Sequence, residues 1–175
     1  MHIRPVRVEE YEAVAALTVA AYDTIDGLPL GDYREVLRNV AVRATDSVVL
    51  VAVTTDDALL GAVTYIPDCD RITAEFDDPA AAGIRFLAVD PNARHAGVGA
   101  ALVRACLARA RSDRRRRVVL HTTTWMSSAQ RLYARLGFDR EPSLDFTVGA
   151  DEDDLDGGVD LLGYAYELTV DAPAR

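Results

Sequence analysis

Phe86-Leu87-Ala88-Val89-Asp90-Pro91-Asn92-Ala93-Arg94-His95-Ala96-Gly97-Val98-Gly99-Ala100 is the stretch on which the reading of the fold turns. An apolar, strand-like run meets Asp-Pro, a short loop follows, and two glycines open a helical pattern. A helix start leaves unpaired backbone N–H groups and the positive end of the peptide dipoles, which together favour an anion such as phosphate. Gly97 and Gly99 carry no Cβ, so a ligand can approach the main chain closely. Arg94 adds a permanent positive charge, and His95 contributes its backbone rather than its ring. The stretch reads as strand, turn and helix around a pyrophosphate cradle.

Two other phosphate-binding patterns are excluded. The dinucleotide fingerprint needs a third glycine where Leu102 stands. An NTPase-type loop needs Gly-Lys-Ser or Gly-Lys-Thr, and the chain has no lysine. Arg94-x-x-Gly97-x-Gly99 after a strand ending Leu-Ala-Val-Asp-Pro resembles the acetyl-CoA loop of the GNAT superfamily of N-acetyltransferases. A second segment, Ser128-Ala-Gln-Arg-Leu-Tyr-Ala-Arg-Leu-Gly-Phe138, is similar to the late helix of that superfamily. Ala129, Leu132, Tyr133, Gly137 and Phe138 match it, and Gly137 is a helix-ending residue. Met126 stands where many members carry asparagine. The resemblance is strong over roughly residues 48–140.

The resemblance implies an α/β acyltransferase fold, a central mixed and twisted sheet flanked by helices, with acetyl-CoA as cosubstrate. It implies that the strand ending Leu87-Ala88-Val89 splays from its neighbour and that the pantetheine arm pairs with the main chain in the opening. A backbone N–H near Val89 would then steady charge on the thioester carbonyl. The phosphates would rest on Arg94, His95, Ala96, Gly97, Val98, Gly99 and Ala100. Tyr133 would give a proton to the departing thiolate, a ground-state transfer uphill by roughly 2 kcal/mol from reference values.

A general base stays unassigned. The position where many members of the superfamily carry glutamate is Gly83. Glu75, Asp77 and Asp78 precede that strand, and His121 lies on the neighbouring one. Each could take the proton of an attacking amine, directly or through water.

Composition bounds the rest. At 175 residues, half of them hydrophobic, the chain suits one domain with a sizeable core, expected over residues 1–170 with 171–175 as a tail. The start lacks the apolar core of a secretory signal, so a cytoplasmic protein with reduced Cys69 and Cys106 is expected. No stretch is apolar enough to span a membrane. The net charge of −9 speaks against nucleic-acid binding. The run Arg114–Arg117 reads as a solvated loop, or with Arg109 or Arg111 as a lure for cofactor phosphates. The scattered histidines and unpaired cysteines give no metal site.

Periodicity predicts a strand at 2–6, helices at 8–21 and 31–44, and a hairpin of strands 48–54 and 59–66. Val36, Leu37 and Val40 are expected inside. A buried strand at 84–89, a helix at 97–111 and a strand at 117–122 follow. The Tyr133 helix comes next, then strands near Phe146 and at 161–168, flanking an acidic insert at 150–158. Positions 99, 102, 103, 106, 107 and 110 form one apolar stripe, which places Cys106 in the core.

The function expected is acetyl transfer from acetyl-CoA to an amine by direct attack, in a monomer or homodimer. The acidic stretches Asp68–Asp78 and Asp151–Asp156 point to a small cationic amine drawn in by charge. The alternatives are a protein or peptide amine as acceptor, and an acyl-CoA-binding regulatory module without turnover.

Overall fold

The computed structural model describes residues 1–149 and 158–168, so the acidic insert, but for Gly158, and the tail 171–175 lie outside the described residues. Eight strands among them form one mixed sheet: β1 (His2–Pro5), β2 (Val48–Val53), β3 (Leu59–Ile66), β4 (Ala81–Val89), β5 (Arg117–Thr122), β6 (Asp139–Arg140), β7 (Phe146–Val148) and β8 (Val159–Glu167). Their order is β1-β2-β3-β4-β5-β8-β6, with β7 also on β8. Only β4 and β5 run parallel. Parallel neighbours need a crossover, and α4 (Val98–Ser112) supplies it.

The remaining helices are α1 (Tyr11–Asp23), α2 (Tyr33–Arg38), α3 (Val40–Asp46) and α5 (Ser127–Arg135). They cover both faces of the sheet, which is why β2 is apolar at every position rather than at alternate ones. Leu50 and Ala52 pack with α4 residues Leu102 and Cys106. Val49, Val51 and Val53 pack on Val14 and Val40 on the other face. The stripe predicted for α4 is buried from Leu102 to Ala110, Cys106 included. Both cysteines are free thiols. No helix among the described residues is long and apolar enough to cross a membrane.

Several boundaries differ from the sequence reading. The helix expected at 31–44 is two helices broken at Asn39, whose side chain accepts from Val42 N at 3.3 Å and so starts α3. The last carbonyls of α2 are satisfied by Arg43, whose Nη1 donates to Val36 O and Leu37 O, both at 2.9 Å. The break turns Val36 outward, leaving it exposed, while Leu37 and Val40 are buried as expected. The helix expected from Val8 begins as a 3₁₀ turn, Val8–Glu10, and α1 runs on to Asp23. β4 starts at Ala81 rather than Ile84, the short strand β6 was not foreseen, and the last strand is 159–167.

The irregularity that shapes the site lies in β4. Ala62 faces Ala88 and Thr64 faces Arg85, so two steps on β3 meet three on β4. The extra residue is a β-bulge at Phe86, held at φ +54°. Ala82 and Ile84 point to the α4 side. One residue of slip then sends Phe86 and Ala88 to the α1 side. Pairing with β5 ends just before the bulge, at Ile84 and Leu120.

Candidate active site

The loop Arg94–Gly97 is exposed and reaches α4 through two left-handed residues, His95 at φ +67° and Gly97 at φ +79°. No side chain caps the helix. Its first backbone bond runs from Ala101 N to Gly97 O at 3.0 Å, leaving the N–H groups of Val98, Gly99 and Ala100 without a backbone partner among the described residues. A Cβ on Gly97 would meet nothing within 4 Å, so the main chain there is open to an approaching group. This is a helix terminus shaped for an anion. Arg94 anchors the loop by donating to Thr24 Oγ1 at the end of α1.

Gly99 also has a packing role. A Cβ there would lie 3.3 Å from Leu132 Cδ2 and 3.5 Å from Val89 Cγ2, so its bareness lets α4 seat against α5 and β4. The two sequence motifs therefore touch at Gly99 and Leu132. α5 ends where Gly137 turns at φ +91°, with Phe138 N bonded to Tyr133 O at 3.0 Å. That reversal lays Phe138 on Tyr133, ring centroids 5.8 Å apart, with Tyr164 at 6.2 Å. The Tyr133 ring is 5% exposed, and burial pushes its phenol well above the usual tyrosine range. Tyr22 is shifted the same way, by burial first and then by Tyr33 and Tyr133.

Beyond Ile84 the facing edges of β4 and β5 part. Asp90 N bonds Leu60 O of β3 at 2.9 Å, and N–H groups alternate sides along a strand. The N–H of Val89 therefore points the opposite way, into the opening.

Next to the opening lies a cavity of about 340 Å³. Arg85 of β4, with His121, Thr122 and Thr123 at the end of β5, forms its polar floor, and Glu75 enters from the preceding loop. Arg85 ties that loop down, Nη1 donating to Thr73 O at 2.9 Å and Nη2 lying 2.5 Å from Glu75 Oε1. Glu75 Oε2 lies 3.5 Å from His121 Nδ1. His121 Nε2 is 2.9 Å from Leu144 O, an acceptor only, so Nε2 carries the proton. In the neutral ring Nδ1 is then the bare nitrogen, and it faces the carboxylate. The Phe146 ring packs edge-on at 4.9 Å.

Of the four candidate bases, the structure brings Glu75 and His121 together. Asp78 is engaged by Arg117 at 3.1 Å, and Asp77 is exposed and does not line the cavity. A Cβ on Gly83 would stand 2.6 Å from Phe76 Cε1, so the Phe76 ring fills that place. Asp68 pairs with Arg71 at 3.0 Å and Arg115 at 3.7 Å. With Glu75 and Asp78 also paired, the first acidic stretch is largely neutralised. Arg114–Arg117 follow the far end of α4, about 22 Å from Gly97 at 1.5 Å per residue.

Sequence reasoning missed Arg85, Phe86, Thr122 and Thr123. A charge inside an apolar strand, Ile84-Arg85-Phe86, was the available signal. Phe86 lies between two guanidiniums, with Arg43 and Arg85 each 4.5 Å from its ring centre. No cluster of side chains suited to a metal occurs among the described residues.

Over residues 12–138 the chain matches the acetyltransferase (GNAT) family. It is similar to smu.2055 from Streptococcus mutans UA159, at 26% identity and TM-score 0.68, covering 95% of this chain and 99% of that one. It is also similar to yncA from Salmonella typhimurium, solved with acetyl-CoA (16% identity, TM-score 0.68, covering 100% and 98%). A ribosomal-protein-alanine N-acetyltransferase from Brucella melitensis shares 18% identity at TM-score 0.67, covering 96% and 100%. No curated protein sequence matches the chain.

Proposed function

The chain belongs to the acetyltransferase (GNAT) family, and from that premise we propose that it moves an acetyl group from acetyl-CoA to the amine of a small, cationic acceptor by direct attack. One juxtaposition carries the reading: the β4–β5 opening lies beside a cavity holding Glu75 against His121, and β4 leads on through the Arg94–Gly97 loop to the uncapped start of α4. The bare N–H groups before Ala101 and the open space at Gly97 fit a pyrophosphate. The opening beside Leu87, Ala88 and Val89 fits a pantetheine arm that pairs with the main chain. Acetyl-CoA supplies the activated acetyl thioester.

The residues of the chain handle the protons. A primary amine arrives as ammonium, and freeing its lone pair at pH 7 costs roughly 4–5 kcal/mol. Glu75 takes that proton, and His121 Nδ1 can receive it in turn. The Val89 N–H donates to the carbonyl oxygen as negative charge gathers there. Tyr133 protonates the departing thiolate; burial makes its phenol a weaker acid than a free one, so the proton moves only as charge gathers on the sulfur. Of the two protons the nitrogen sheds, one is balanced at the sulfur and one reaches solvent.

Thiol release with purified protein, acetyl-CoA and an amine panel tests the reading. Free thiol should appear only when an acceptor is present. A CoA-induced rise in Tm without thiol release from any acceptor would instead mark a binding module. Faster turnover of peptide N-termini than of small amines would move the acceptor to the protein class, the acceptor named for the Brucella melitensis enzyme.

A further inference from the structure

We propose that Arg85 is a positioning residue for the acetyl transfer: it holds one oxygen of Glu75 so that the other is presented to His121 and to the acceptor's ammonium. This rests on the reading of Glu75 as proton acceptor and adds the group that fixes it. A glutamate side chain has three rotatable bonds, and ordering it is entropically unfavourable unless a partner holds it.

Arg85 grips the Glu75 loop at two points. Its Nη2 lies 2.5 Å from Glu75 Oε1, which leaves Oε2 facing His121 Nδ1 at 3.5 Å. Its Nη1 donates to Thr73 O at 2.9 Å, two residues before the glutamate. Thr73 is itself pinned to the end of α3: its N and Oγ1 donate to Asp46 Oδ2 at 3.2 and 3.1 Å, and its Oγ1 lies 2.8 Å from Ser47 Oγ. Directly after Glu75, the Phe76 ring covers Gly83. The main chain is therefore fixed on both sides of the carboxylate, and Arg85 fixes the carboxylate itself.

The guanidinium is held in turn. Successive side chains of a regular strand point to opposite faces, so Arg85 could not lie on Phe86 in one. The bulge lets both line the cavity, with the guanidinium 4.5 Å from the Phe86 ring centre. A planar fork can rest on a ring and reach two acceptors at once. A lysine ammonium on its flexible stem does not reproduce that geometry.

Because Arg85 acts through Glu75, its effect should vanish with that carboxylate, and a double-mutant cycle tests this. Thiol release from acetyl-CoA is followed with whichever amine of the panel turns over fastest. Arg85→Met should lower kcat by roughly tenfold or more, since a small misplacement of a reacting group is costly, with the KM for acetyl-CoA unchanged. In the Glu75→Gln background the same change should alter kcat by less than about twofold. Arg85→Lys keeps the charge without the fork and should stay within about threefold of Arg85→Met. Run in both backgrounds, it completes the cycle even where the methionine variant folds poorly. Equal losses in the two backgrounds, or full kcat in Arg85→Lys, would overturn the positioning role and leave the acetyltransferase reading standing. Wild-type kcat in Glu75→Gln alone would overturn both the base and its positioning. No thiol release from any amine, despite CoA binding, would overturn the acetyl-transfer reading and this inference together.

Discussion

At Glu75 two contacts divide the carboxylate: Oε1 belongs to Arg85 at 2.5 Å and Oε2 faces His121 Nδ1 at 3.5 Å. Glu75→Gln keeps the shape and removes the proposed proton acceptor, so kcat should fall roughly 10²-fold or more. Its KM for acetyl-CoA should hold, because nothing in the cofactor loop moves; wild-type kcat would remove Glu75 from the chemistry. Tyr133→Phe should show a loss of similar size, about 10²-fold in kcat, again with cofactor affinity kept by calorimetry. Unchanged turnover would make Tyr133 a core residue and nothing more. These residues were unequally legible. Tyr133 stood out because Ala129, Leu132, Gly137 and Phe138 surround it at fixed spacing, and the Gly137 turn now explains that spacing. Glu75 did not, because its role depends on Phe76 covering Gly83 from seven residues away in sequence. Only the folded loop brings Phe76 there, and with it the carboxylate into the cavity.

Strand β4 parts from β5 at a defect. The bulge at Phe86 ends pairing with β5, frees the Val89 N–H and swings an aromatic ring between two arginines. A bulky residue at positive φ stores strain, and the ring's contacts with Arg43 and Arg85 hold it there. Phe86→Ala would leave Arg43, 3% exposed, facing a void. The expected loss is about 3–5 kcal/mol, or roughly 10 °C in Tm by calorimetry; a shift under a few degrees would show that the ring does not brace the bulge. At the start of α4, Gly97→Val forces a branched residue to φ +79° and into the open space at Gly97. CoA affinity should drop at least tenfold in a folded variant, and wild-type affinity would show that the anion is held elsewhere. Period-two and helical patterns made most elements readable, since both core faces are apolar at those periods. The bulge was silent because Phe86 reads as an ordinary strand residue. The break at Asn39 was silent because Arg43, the group that satisfies the loose carbonyls, belongs to the next helix.

Across the whole molecule, ionisable groups define a window of stability with different limits at its two ends. Asp68 and Asp145 are held below the usual carboxylate range chiefly by arginine partners, and Glu10 likewise by Arg4. Their contribution is present above about pH 4 and is lost as pH falls through the lowered values. Such exposed pairs are each worth little, so the acid limb should be shallow. The alkaline limb rests on buried groups. Burial raises the phenols of Tyr22, Tyr65 and Tyr133, that of Tyr65 further through its bond to Asp113, and it pushes the Cys106 thiol up to about 12. Folding favours the neutral forms, so this stability is complete below the unfolded values, about 9 for the thiol and about 10 for the phenols. It is lost as pH rises through the folded ones. For Cys106 the span from about 9 to about 12 corresponds to roughly 4 kcal/mol, or about 10 °C in a protein of this size. Calorimetry should therefore find Tm nearly level from about pH 5 to 8.5 and falling steadily above pH 9. Cys106→Ala removes the thiol from the stripe of α4. Its Tm should be lower throughout, because a buried atom is lost, yet its decline should begin about one pH unit later, where the phenols take over. A wild-type Tm level to pH 11, or an onset that Cys106→Ala leaves in place, would show that the buried thiol does not set the alkaline limit.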